Sequence, residues 1–293
     1  MSTVINVPSS LDDTGIERVL EQLAVVPTDD PVLLDARHVR WASPFGLTAI
    51  LAIGQSRGEK AGFSGPEAED VASYWARAGF YKHADGIFTL SGHVPKERTS
   101  GDSGVLLEVT PIAHSEDVHN VVARIQHKAQ TILQNLHIDS KATMGFAMTL
   151  SEACQNIIEH AGTGGWVAVQ VYEWRKRLGR RVVVIAVTDA GQGFRRSLET
   201  TQGRRLGDRW DDGTALEEAV LRGVSRFTDK GRGQGLAGIR RYVGRWDGKL
   251  TVRSGSARLA IIPTWDDDVP LTKNLPPFPG AQMQIVIPER LAR

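Results

Sequence analysis

Residues 151–160 read SEACQNIIEH, residues 189–193 read DAGQG and residues 231–238 read GRGQGLAG. All three lie in the second half of a 293-residue chain, and their order and spacing say more than any one alone. On a helix, Glu152, Asn156 and His160 are spaced i, i+4, i+8 and stack on one face. A carboxylate, a neutral amide oxygen and an imidazole then point the same way. Magnesium takes oxygen ligands and keeps waters while bridging phosphates, so the amide oxygen of Asn156 suffices as the protein's share. Glu152, one turn away, has the chemistry to polarise an attacking hydroxyl or water. In isolation the same residues fit a solvated polar stripe.

The other two boxes favour the chemical reading. Asp189 ends the apolar run Val182-Val183-Val184-Ile185-Ala186-Val187, where a buried carboxylate needs a partner, and the exocyclic amine of adenine is one. Gly191 and Gly193 leave no side chains where a flat base slides against backbone, although a tight turn capped by an aspartate uses the same residues. Gly231-Arg232-Gly233-Gln234-Gly235-Leu236 places successive amides at a helix N-terminus, a ready phosphate site, with Lys230 and Arg232 adding charge. Gly233, Gly235 and Gly238 also spell G-x-G-x-x-G. A Rossmann reading fails on context, because 215–227 is helical in pattern and no acid follows about 20 residues on. A Walker loop is absent. Together the boxes read as a site for ATP and Mg2+.

Composition frames the rest. With 41% hydrophobic and 24% charged residues, this is the composition of a soluble globular protein of about two domains. A formal charge of +1 gives no global pull toward nucleic acid or membrane. The single cysteine, Cys154, excludes an intramolecular disulfide and fits a reducing compartment. No signal-like N-terminus and no run of about 18 apolar residues is visible, so a cytoplasmic location is expected. Pro95 to Gly104, PKERTSGDSG, marks the one break, giving domains at 1–94 and 105–293 with a linker at 95–104.

The first segment alternates strands (3–7, 31–35) with helices (13–23, 45–55, 66–78), the pattern of a small α/β domain. The strand Val32-Leu33-Leu34-Asp35, the step Val39-Arg40-Trp41-Ala42-Ser43-Pro44-Phe45-Gly46-Leu47 and the apolar helix after it resemble the STAS domain of bacterial anti-anti-sigma factors. That family places a phosphorylated hydroxyl directly before the glycine. Here Phe45 stands there, which excludes modification at that position, although Ser43 and Thr48 keep hydroxyls nearby. Ser43 also reads as a helix cap behind a first-turn proline.

In the second segment the patterns predict helices at 115–136, 141–161, 214–227 and 235–245, and a hairpin of strands 166–173 and 181–188. Further strands are expected at 250–253, 259–263 and 282–287, and the polar stretch 195–213 reads as a mobile loop. With its three boxes, this segment resembles the GHKL superfamily of gyrase, heat-shock chaperone, histidine kinase and mismatch-repair ATPase domains. The pattern Glu-x-x-x-Asn-x-x-x-His brings it nearest the anti-sigma-factor serine kinases. The resemblance implies a two-layer α/β sandwich with a mixed sheet. It makes Glu152 the base, Asn156 the magnesium ligand and Asp189, with Gly191 and Gly193, the adenine reader. His160 and the run Gly231, Arg232, Gly233, Gln234, Gly235 and Leu236 complete the nucleotide site. Two departures stand out: Ala281 follows Gly280 where the family has threonine, and the insert 265–279 is long enough to be a partner surface.

Smaller features are ambiguous. The turn Arg175-Lys176-Arg177-Leu178-Gly179-Arg180-Arg181 fits an acidic partner or simple solvation. Arg195, Arg196, Arg204 and Arg205 fit phosphate contacts or an ordinary basic loop. Trp166, Trp174, Trp246 and Trp265 read as sheet packing. The expected function is a serine/threonine protein kinase of the anti-sigma type, acting on a separate protein such as a sigma-factor or STAS-type regulator. Neither nucleic acid nor membrane is an expected partner; homodimerisation is open. The alternatives are a nucleotide-gated interaction switch, favoured by Phe45, and a slow ATPase coupled to dimerisation. Glu152 favours catalysis, since a passive binder needs no base.

Overall fold

The computed structural model describes residues 2–92, 94–95, 105–124, 140–174, 178–225 and 235–289, with backbone alone at 140–144, 146 and 160. The first stretch runs β1 (Thr3–Asn6), β2 (Ser10–Leu11), α1 (Asp13–Leu23), β3 (Val32–Asp35), β4 (Trp41–Ala42), α2 (Pro44–Gln55), β5 (Gly62–Ser64), α3 (Glu69–Arg77), α4 (Phe80–Ile87) and β6 (Thr89–Ser91). Strands β1, β3, β5 and β6 form one parallel sheet in that order. The helix expected over 66–78 is α3, starting at Glu69, and a further helix not expected from the sequence, α4, follows Gly79, whose φ of +78° turns the chain between the two. Ser43 caps α2: its Oγ accepts from the Gly46 amide at 3.0 Å, and Pro44 supplies a first position that needs no donor. Phe45 points into the core.

The rest comprises β7 (Val105–Ile112), α5 (115–124), α6 (Ser140–Asn156) with a π turn over Ile157–Ala161, β8 (Gly165–Trp174) and β9 (Arg180–Asp189). Then come α7 (Gly193–Leu198), α8 (Arg204–Leu206), α9 (Asp212–Leu216), α10 (Gly235–Arg245), β10 (Lys249–Gly255), β11 (Ala257–Ile261), β12 (Leu271–Thr272) and β13 (Phe278–Pro288). Seven strands form a sheet in the order β12-β11-β10-β13-β9-β8-β7. The α/β sandwich is as expected, but its sheet, expected to be mixed, is antiparallel in every described pairing.

Two further corrections have physical causes, and the insert also takes a definite shape. The stretch 195–213, expected as a loop, is wound into short α, π and 3-10 turns, because Phe194, Leu198 and Trp210 bury themselves and the Trp210 indole donates to Glu199 at 2.6 Å. The helix expected at 214–227 starts at Asp212, capped by Asp211, and ends in a π turn at Leu221. The insert 265–279 folds back: the Trp265 indole donates to the Asp247 carbonyl at 2.6 Å, β12 extends the sheet and Phe278 is fully buried. The linker residues 96–104, the part beyond 124 of the helix expected at 115–136, and the basic residues 175–177 lie outside the described residues.

The seven-stranded sheet is covered on both faces. Val183, Ile185 and Val187 of β9 join Leu150, Ile157 and Ile239 in the core under α6 and α10. Ala186 of the same strand, with Ala168, Trp166 and Phe278, joins Phe45, Ile50 and Trp75 of the N-terminal unit. Helix α2 thus lies against β8, β9 and β13. Polar contacts fasten the joint: Tyr74 donates to Gln170 at 2.6 Å, the Trp166 indole to Gln55 at 3.2 Å, and buried Arg253 to Glu17 at 2.8 Å. The exposed edge of β7 is covered too, since the Val109 amide donates to Ala78 O at 2.8 Å and His83 Nε2 bonds the Val109 carbonyl at 3.1 Å. No helix among the described residues is long and apolar enough to cross a membrane.

Candidate functional site

A cleft opens where the end of α6 meets the C-terminal end of β9, lined by Ala153, Asn156, Asp189, Phe194, Ala281 and Met283 among others. Its cavity volume is about 30 Å3, well below the ~300–1,000 Å3 typical of small-molecule sites, so a ligand of ordinary size needs the walls to part. Its walls are apolar and its polar groups few.

Asp189 is the principal polar group. It is 5% exposed, and its Oδ1 accepts from the Gly191 amide at 2.8 Å and the Ala281 amide at 3.2 Å. Among the described residues Oδ2 has no partner. Burial raises the carboxyl to about 6, against the pull of the two amides. The site therefore holds one saturated carboxylate oxygen and one still able to accept.

The two glycines differ in their surroundings. A Cβ on Gly191 would lie 2.1 Å from the Ala161 carbonyl, so Gly191 lets the turn close on the π turn. Gly193, at φ +70°, does line the cleft.

Asn156, the last residue of α6, reaches the cleft with its Nδ2 buried and no partner for its amide among the described residues. Glu152 lies on the exposed side of α6, yet its carboxylate sits against Gly235, where a Cβ would come 2.7 Å from Oε2. Gly235 opens α10, so the fold brings the acid to the N-terminus of the glycine-box helix. Desolvation, then the neighbouring charge of Glu159, raises the Glu152 carboxyl.

Other expected residues fare differently. The turn at Ile157–Ala161 is a π turn closed by i→i+5 bonds, so the 3.6-residue spacing that stacked His160 beneath Asn156 does not continue. The His160 side chain, and Lys230, Gly231, Arg232, Gly233 and Gln234, lie outside the described residues. The Leu236 side chain packs in the apolar core. Arg205 pairs with buried Glu218 at 2.9 Å rather than facing the cleft. The sequence reading missed Ser254 and Gln282, which buttress the turn beside Asp189. A glutamine at a fully buried strand position was the only signal for the second.

Residues 143–288 match the model of the family described as histidine kinase-, DNA gyrase B-, and HSP90-like ATPase. The chain carries a domain of that family. The match spans α6 from residue 143, the cleft and every strand of the seven-stranded sheet except β7, so the HATPase domain contains every candidate site residue. No curated protein and no solved structure matches the chain.

Proposed function

We infer that the cleft binds ATP with magnesium and that the chain is a serine/threonine protein kinase of the anti-sigma type, transferring the terminal phosphoryl group to a separate protein. The Oδ2 of Asp189, without a partner among the described residues, carries the nucleotide reading: an acceptor on a buried carboxylate at an apolar slot fits the amino group of adenine. The unengaged amide of Asn156 fits a magnesium ion held mainly by phosphate oxygens, and bound magnesium would neutralise charge on those oxygens. Glu152, beside the start of α10, supports catalysis. Its Oε atoms accept the proton of the partner's hydroxyl as that oxygen bonds to the terminal phosphorus; the bond from phosphorus to the bridging oxygen breaks and ADP leaves. Elevation of its pKa makes Glu152 a better base.

A second reading is a nucleotide-gated switch. It is favoured by the contact of α2, which carries Phe45 in the STAS-like phosphoacceptor position, with β9, which ends in Asp189. The two readings separate on Glu152→Ala. Calorimetry with a non-hydrolysable ATP analogue and magnesium should show binding retained, while ADP release in the presence of a purified STAS-type protein should drop by about 100-fold or more. Unchanged ADP release would remove the kinase reading and leave the switch.

A further inference from the structure

The ladder between β10 and β13 breaks beside Asp189: Ser254 pairs with Ala281, but the next residue, Gly255, pairs with Phe278. Pro279 and Gly280 are thus extra on the β13 side, a bulge at the rim of the cleft. The bulged carbonyls still need donors. Gln282, fully buried, donates from Nε2 to Pro279 O at 2.7 Å and to Asp189 O at 3.0 Å. Ser254, also buried, donates from Oγ to Gly280 O at 2.7 Å and accepts from the Phe194 amide at 3.1 Å. Gly280, at φ +80°, is pressed so close that a Cβ would lie 2.2 Å from the Asp189 carbonyl. The result of this clamp is that the next amide, Ala281 N–H, is aimed at Asp189 Oδ1.

Gln282 keeps this arrangement at a cost. Its Oε1 is buried without a partner, a penalty that an apolar side chain would avoid. Its side chain also sits on the opposite side of β13 from Ala281 and Met283, which line the cleft, so it acts from behind the sheet.

We propose that Gln282 and Ser254 are specificity-setting positioning residues. By fixing the Pro279–Ala281 bulge they keep Asp189 Oδ1 saturated and leave Oδ2 as the carboxylate oxygen able to accept. The site then takes bases presenting an exocyclic amino group and rejects those presenting a carbonyl oxygen there. Loosening the bulge frees the Ala281 amide to donate to a carbonyl, which admits guanine. This inference rests on the nucleotide reading above.

The test compares dissociation constants for non-hydrolysable ATP and GTP analogues in the full chain, in Gln282→Leu and in Ser254→Ala. Both variants should lower the preference for ATP over GTP by roughly tenfold, the net value of one hydrogen bond. Weakening of both analogues in equal proportion in both variants, or no change in either, would overturn the proposal. Circular dichroism identifies a misfolded Gln282→Leu, in which case Ser254→Ala, which removes a single hydroxyl, decides alone. A wild-type chain that binds neither analogue removes the nucleotide reading and this inference together, whereas an unchanged preference in variants of a binding-competent chain removes only the inference.

Discussion

Asp189→Asn should strengthen the fold while abolishing nucleotide binding. Asparagine matches aspartate in shape, and its Oδ1 can still accept from Gly191 and Ala281, so the turn survives. What changes is the other atom, a donor facing the cleft where the carboxylate offered an acceptor. The stability effect follows from burial, which lifts the carboxyl from an ordinary 3.8 to about 6. At about 1.36 kcal/mol per pH unit, keeping it ionised in the fold costs about 3 kcal/mol. The sign follows from proton uptake. Between pH 4 and 6 the folded chain holds this proton more tightly than the unfolded chain does, so wild-type stability falls as pH rises through that window. The amide has no such dependence. Urea unfolding should therefore show variant and wild type nearly equal at pH 4, with the variant more stable by up to about 3 kcal/mol at pH 8. Calorimetry at pH 8 should show no binding of an ATP analogue to the variant. A variant less stable than wild type at pH 8, or one that still binds the analogue, would refute the argument.

Other outcomes follow from the joint and the turns. Arg253→Ala removes a buried guanidinium from Glu17 and from the carbonyls of Gly255 and Pro276; urea unfolding should show a loss of about 3–5 kcal/mol, and a loss below 1 kcal/mol would mean that the contacts are idle. Ser43→Ala should cost about 1 kcal/mol through the lost cap on α2, read as a lower melting temperature. Gly191→Ala forces a Cβ against the Ala161 carbonyl and should destabilise by more than about 1 kcal/mol. Removing residues 1–92 should yield an aggregating chain in light scattering, because the β7 edge and the apolar face around Trp166, Ala168, Ala186 and Phe278 lose their cover; a monodisperse fragment would contradict the shared core.

Local chemistry was legible where one residue decides. Ser43 before Pro44 signalled a cap, and the paired apolar runs around residue 177 signalled the hairpin. The three boxes were legible through their order, although the structure describes only parts of them. Less visible was whatever depends on distant packing. The π turns after Asn156 and Leu216 carry no periodicity of their own. The winding of 193–209 depends on Phe194, Leu198 and Trp210 finding a core made by other strands. The docking of the N-terminal unit did leave a trace. Val182 to Val187 is apolar without alternation, whereas an antiparallel strand with one wet face alternates; the unbroken run means both faces are covered.

That covered sheet has a consequence for the order in which the chain is made. Helix α2 leaves the ribosome early, but part of the surface it rests on, including Phe278 of β13, is the last portion of the sheet to be synthesised. At ~5–20 residues per second, roughly 10–45 s pass between them. During that interval the underside of an almost wholly apolar helix has no sheet to lie on, so the nascent N-terminal unit is a natural client for a chaperone that shields hydrophobic surface until translation ends.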